Sequence, residues 1–199
     1  MEQSGSRAIT SQRPGSRVLL NTSRLIIRNF KDSDLESFLS YRNDPEVAKY
    51  QGWHTPYVRE QGLKLIEEMS DLHAPKQGHW LQLAIELKET VEMIGDLGCF
   101  INSDDARQAV IGFTIASNHW RKGYAVEAIS GLLEFLFDDL DLHRVVADCD
   151  VENSGSWQTL EKLGFRREAY YVESLFFKGA YASEYHYGML QREWRARKG

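Results

Sequence analysis

Cysteine is scarce in this sequence: of 199 residues only Cys99 and Cys149 are cysteines, and they stand far apart in no metal-like spacing. That excludes a disulfide framework and leaves two reduced core thiols of an intracellular protein as the expectation. The six histidines are scattered, and His54 and His79 lack partners at ligand spacing, so no metal site is read from the chain. A basic excess is missing as well. Lys and Arg number 24 against 29 Asp and Glu, a net charge of −5, which argues against nucleic acid and favours cationic partners. No apolar run approaches the ~18 residues of a membrane span. The first 17 residues are rich in Ser, Gly and Arg, without the apolar centre of a signal peptide. Residues 1–20 are therefore expected to form a flexible extension, and the protein to stay in the cytoplasm. Neither common nucleotide loop, Gly-x-x-x-x-Gly-Lys-Ser/Thr or Gly-x-Gly-x-x-Gly, occurs.

What is present suits one folded domain over residues 21–199: 42% of residues are hydrophobic and 27% charged. Arg24 to Arg28 reads as a strand, and Ser33-Asp34-Leu35-Glu36 as a capping box opening a helix that Asp44-Pro45 ends. A second helix is expected from about Tyr57 to Met69. Three strands follow, Trp80–Glu86, Val91–Ile101 and Ala109–Ala116. Gly95 and Gly98 inside the second suggest a bend, a bulge or a close approach to the backbone. Apolar residues at helical spacing from Val126 to Phe137 mark a long helix over about Gly123 to Asp139. A strand at His143–Cys149, a helix at Ser154–Leu163 punctuated by Gly164, and two aromatic-rich strands around Gly179 complete the chain. The pattern is a mixed α/β domain with one central twisted sheet of about six to seven strands and about four flanking helices. Its strand–helix–strand unit from 109 to 149 should be parallel and right-handed.

The stretch from Gly112 to Ala128 carries the most chemistry. An apolar strand (Phe113, Thr114, Ile115) is followed by a short polar loop, then Trp120-Arg121-Lys122-Gly123-Tyr124-Ala125 at a helix start. A helix N-terminus offers unpaired N–H groups and partial positive charge, and Gly123 lets a ligand approach the backbone. Arg121 and Lys122 add charge complementary to phosphate. On physics alone the segment reads either as a phosphate cradle or as ordinary turn chemistry.

The segment resembles the coenzyme-A-binding motif of GNAT acetyltransferases, most closely the branch of ribosomal-protein N-acetyltransferases of the RimJ/RimL type. Three further stretches are similar to that branch: Asn21 to Arg28, Leu142-His143-Arg144-Val145 with Asn153-Ser154-Gly155-Ser156, and Glu161 to Glu168. The likeness runs in family order over roughly residues 20 to 194. It implies a single GNAT domain that transfers acetyl from acetyl-CoA to a primary amine by direct attack in a ternary complex, without a metal. The acceptor would be a protein N-terminus or a small cationic amine. A homodimer is common in the family. A catalytically degenerate module that binds coenzyme A and regulates or docks is the alternative.

The resemblance also implies roles. Residues 121–125 would grip the pyrophosphate through backbone amides, with Trp120 beside them, and Phe113, Thr114 and Ile115 would offer backbone groups to the pantetheine arm and acetyl carbonyl. Asn153 would stand near the cofactor arm, although by itself it reads as a helix N-cap. Ser156 would protonate the thiolate, since the tyrosine many members use is replaced by Leu160; a first-turn serine is equally a helix-end residue. For the general base the candidates are Asp96, Asp148, Glu173, Glu184, His54 and His79, with Glu173 preferred; a water chain is the alternative. His143-Arg144 reads as a phosphate contact or a strand-edge salt bridge. Trp53, Trp80 and their aromatic neighbours read as acceptor-pocket walls or as core.

Overall fold

The computed structural model describes residues 18–70, 72 and 74–197. Strands β1 (Val18–Asn21) and β2 (Leu25–Arg28) lead into helices α1 (Leu35–Arg42), α2 (Pro45–Ala48) and α3 (Arg59–Ser70). Then come β3 (Trp80–Leu87), β4 (Met93–Ile101), β5 (Gln108–Ile115) and helix α4 (Tyr124–Glu134), which runs on as a π-helical turn over Phe135–Asp139. Strand β6 (Arg144–Asp150), α5 (Ser154–Leu163), β7 (Arg166–Phe177), β8 (Ala180–Leu190) and α6 (Gln191–Ala196) complete the order.

The strands form one eight-stranded sheet in the order β1-β2-β3-β4-β5-β6-β8-β7. All neighbours are antiparallel except β5 and β6, as expected for strands joined through a helix. The mixed α/β architecture is the expected one, with more elements than expected. Among the described residues there are eight strands and six α-helices, because β1, α2 and α6 carry weak sequence signals. Strand β1 starts at Val18, inside the span expected to be an extension, and Leu19 and Leu20 pack on the core; residues 1–17 lie outside the described residues. The Asp44-Pro45 pair that stops α1 also starts α2. Asp44 accepts the Glu46 N–H at 2.9 Å, and Pro45 takes the first helical position, where no N–H is needed. In α6 the Glu193 carboxylate accepts the Leu190 N–H at 2.8 Å and Trp194 is buried.

The expected capping box at Ser33 and Glu36 is replaced. Asp34 reaches back to the Lys31 N–H at 2.9 Å, while Glu36 faces out to Arg59 at 2.5 Å. Asp34 is drawn in by Arg28, which it binds in bidentate fashion, both contacts at 2.7 Å.

Helices α4 and α5 cover one face of the sheet over the main core, in which Ile129, Leu133, Phe137, Val145, Leu160 and Tyr187 are buried. Helices α1 and α3 cover the other face only beside β2–β4, around Phe30, Phe38, Ile66 and Ala84. The same face of β5, β6, β8 and β7 carries no helix among the described residues. The two interior glycines of β4 are close approaches. A Cβ at Gly95 would fall 2.1 Å from the Thr114 carbonyl oxygen, and one at Gly98 would meet the Trp80 ring at 3.2 Å.

Candidate active site

Strands β5 and β6 begin side by side and then part. Their register joins Gln108–Val110 to Arg144–Val146, although β5 continues to Ile115 and β6 to Asp150. Beyond that point β5 stays with β4, while β6 stays with β8 as far as Asp150. The facing edges of Phe113-Thr114-Ile115 and Ala147–Asp150 therefore bound a gap open to a ligand that uses backbone groups.

The start of α4 stands at the end of β5. Gly123 is its N-cap in the left-handed region, φ 79°, and no side chain caps the helix. Its first-turn amides thus have no side-chain acceptor, and glycine holds this conformation without steric cost. Arg121 is also left-handed, φ 61°, and both it and Lys122 are exposed. Trp120 locks the loop to the strand by donating from Nε1 to the Ile115 carbonyl at 2.7 Å. Arg24 holds the other side: it donates to the Lys122 carbonyl at 3.0 Å, stacks over Tyr124 at 4.5 Å and binds Glu127 at 2.6 Å. Burial pulls the Glu127 carboxyl upward, but hydrogen bonds from Thr22 and Arg24 outweigh it, and the group is held below its usual range. The clamp from β2 to α4 keeps the cradle in shape.

On the opposite bank, α5 begins beside the end of β6. Asn153 caps it, accepting the Ser156 N–H at 3.2 Å, so the N-cap reading is satisfied. Burial pushes the Cys149 thiol up to about 11, and the half-buried Ser156 hydroxyl opposes that rise. Leu160 is fully buried core. Arg144 takes the salt-bridge reading: it pairs with Glu168, lying over Gly188.

The remaining candidates do not gather at one place. Asp96 is buried on β4, accepting from the Tyr41 hydroxyl, from Gln82 at 2.8 Å and from Arg42 at 3.4 Å. Burial first, and then the Asp96 charge, raises the Tyr41 hydroxyl well above its usual value. Gln82 and Asp96 line a pocket of about 160 Å³ with Trp53, Trp80, Gly112 and Thr114, which brings the two tryptophans to the β5 end of the gap. Glu173 is exposed with φ 46°, in the irregular stretch of β7 between Tyr171 and Leu175. It stands on the strand of the sheet farthest from β5 on that side. Glu184 accepts from Ser174 at 3.1 Å, and His54 and His79 are exposed in loops. Asp148 has a partner that sequence reading missed: His186, whose Nδ1 lies 2.5 Å from its carboxylate. Thirty-eight residues separate the pair, and only the β6–β8 register sets them opposite each other.

The glycine at the start of the long helix stands where the sequence resemblance put it, and the parting of β5 from β6 beside it is added by the structure. The acetyltransferase (GNAT) domain family matches residues 24–166. The chain belongs to the GNAT acetyltransferase family. Among its relatives, the uncharacterized N-acetyltransferase p20 of Bacillus licheniformis is 33% identical over 88% of this chain and 97% of its own. YoaA of Bacillus subtilis (strain 168), another uncharacterized N-acetyltransferase, is 32% identical over 81% and 90%. The fold is shared with Vibrio cholerae spermidine N-acetyltransferase, solved in complex with CoA and spermine: TM-score 0.74 at 24% identity, over 87% of this chain and 99% of that one. This GNAT enzyme is thus an acetyltransferase, and acetyl-CoA is the acyl donor its family uses.

Proposed function

We propose that the protein acetylates a primary amine by direct attack in a ternary complex, with the acceptor a small cationic amine or a protein N-terminus, as in the RimJ/RimL branch. The observation that carries this is the uncapped, left-handed Gly123 start of α4 at the mouth of the β5–β6 gap. The residues fit the cofactor: free first-turn amides and two exposed cations suit a diphosphate, and parted strand edges suit an amide-bearing arm. When bound, acetyl-CoA supplies an activated thioester.

Around it this chain's residues do the rest. Amides of residues 121–125 hold the pyrophosphate, and Trp120 braces the loop. Backbone of Phe113, Thr114 and Ile115 aligns the arm and polarises the carbonyl oxygen. Asn153 orients the first turn of α5, and Ser156 gives a proton to the departing thiolate. Trp53 and Trp80 wall the amine's approach, with the Asp96 charge beneath them compensated by Arg42. Glu173 is the base the branch resemblance offers. The sheltered, unpaired thiols, both buried, suit a reducing cytoplasm.

Thiol release from acetyl-CoA, followed across spermine, kanamycin, arginine and a tetrapeptide with a free N-terminus, tests the reading. Turnover with at least one acceptor is expected. Tight binding of acetyl-CoA with no thiol release on any of them would leave a docking module instead.

A further inference from the structure

We propose that the imidazole of His186 is the general base that takes the proton from the attacking amine, and that Asp148 is the residue positioning it. The inference rests on the acetyltransferase reading above and puts His186 in the place of Glu173 as its proton acceptor. Three observations carry it. Asp148 Oδ1 lies 2.5 Å from His186 Nδ1. A carboxylate in that position fixes the tautomer with hydrogen on Nδ1 and leaves Nε2 as an acceptor, the arrangement a proton-abstracting imidazole needs. Second, the pair is accessible without being free in water: the His186 side chain keeps 24% of its surface exposed and Asp148 44%, and the Tyr171 ring packs edge-on against the imidazole at 6.3 Å.

Third, the pair sits on the correct face. Side chains alternate along a strand, so Asp148 points away from the core-facing Ala147 and Cys149. It emerges on the face opposite α4 and α5, on which Thr114 and, beneath α1, Asp96 lie across the gap. Thus β6 carries Asp148 on the acceptor face, while the next residue, Cys149, meets Ser156 on the other. Asp148 on β6 borders the gap on one face of the sheet and Ser156 lies toward the other, with His186 one strand farther on β8. The tip of the β7–β8 hairpin returns over this face, Lys178 donating to the Ala48 carbonyl at 2.5 Å. The tryptophan-walled pocket at β4–β5 and the histidine on β8 thus lie on the same face of the sheet. Glu184 and Asp150 are the other charged groups beside His186 on β8 and β6. They favour a cationic amine on this face.

The step balances. The amine nitrogen forms the C–N bond to the acetyl carbon as the thioester C–S bond breaks. Its proton passes to His186 Nε2 and then to solvent. The thiolate takes a proton from the Ser156 hydroxyl, which solvent replaces, so amine and thioester become amide and thiol.

The test uses the full chain, acetyl-CoA and the best acceptor of the panel above. His186→Gln should lower kcat by about 100-fold and abolish the acidic limb of the kcat/KM profile, with KM for acetyl-CoA unchanged. Asp148→Asn should lower kcat and displace the same limb. His186→Ala should regain rate on addition of free imidazole, a response that a packing role would not give. Folding is checked by circular dichroism, and if His186→Gln unfolds, Asp148→Asn with its matching shape decides. An unchanged rate and pH limb in His186→Gln overturns the base assignment and leaves the acetyltransferase reading intact, as does loss of the limb in Glu173→Gln alone. Absence of wild-type turnover with every acceptor overturns both.

Discussion

The most committed residue in the molecule is one that sequence reading treated only as the end of a strand. Arg28 keeps 1% of its surface and is surrounded by acids. Asp34 binds both terminal nitrogens at 2.7 Å, Glu86 takes Nε at 2.9 Å, and Lys31 reaches Glu86 at 2.8 Å. Burial pushes the Glu86 carboxyl up, but Lys31 and Arg28 together bring it below its usual range. A buried ion pair contributes modestly over an apolar substitute, whereas deleting one partner strands the other charge. Asp34→Ala should therefore cost about 3–5 kcal/mol in urea unfolding, far more than removing the exposed Arg59–Glu36 pair, where about 0.5 kcal/mol is expected. Equal small losses in the two variants would show that water reaches Arg28. Nothing in the periodicity of Arg24 to Arg28 announces this cluster, because its acids come from a helix start and from β3.

At the scale of elements, legibility followed locality. Helix α5 has the limits that Asn153 and Gly164 indicate, since N-cap and left-handed C-cap are written within a few residues of the turn they satisfy. The residues proposed to hold the cofactor, from Phe113 to Ala125, lie within one short stretch, and β5 and the start of α4 carry them. The groups proposed for the acceptor side are different. Asp148 and His186 meet through strand register, and Asp96 meets Tyr41 and Gln82 through helix packing; neither leaves a local trace. Gly123 shows what the local signal is worth. Its φ of 79° costs a non-glycine residue about 1–2 kcal/mol, but asparagine tolerates that region. Gly123→Asn should keep acetyl-CoA binding within a few-fold, while Gly123→Glu, adding a carboxylate where the phosphate is proposed to bind, should weaken it by more than about tenfold, or 1.4 kcal/mol. Calorimetric titration of the two folded variants separates charge from conformation. Equal affinities would place the diphosphate elsewhere.

For the whole molecule, protonation sets limits on stability from both sides of neutrality. On the acid side, several carboxyls are held down in the folded state. The Glu168 group falls to about 2, chiefly through its hydrogen bond from Arg144 and then through Arg166, against an opposing effect of burial. Glu193 is lowered first by the Leu190 N–H. A folded value below the unfolded one means stability is complete above the ordinary glutamate range and is lost as pH falls toward 2. On the alkaline side the sign reverses. Burial raises the Cys99 thiol from 9.0 to about 12 and the Cys149 thiol from 9.0 to about 11. An unfolded chain then ionises its thiols first, so their contribution is complete below pH 9 and drains away as pH rises through the folded values. While both thiols are in that window, each should remove about 1.4 kcal/mol of stability per pH unit. The Cys99→Ala variant tests this, because it loses packing at every pH yet gives up only one of the two slopes. Between pH 9 and 10, before the tyrosines whose hydroxyls are likewise raised by burial, Tyr41 and Tyr187, begin to contribute, its unfolding free energy should fall about half as steeply as that of the wild type. Parallel curves would mean that the Cys99 thiol ionises alike in both states, and that the main core beneath β4 is wetter than its burial indicates.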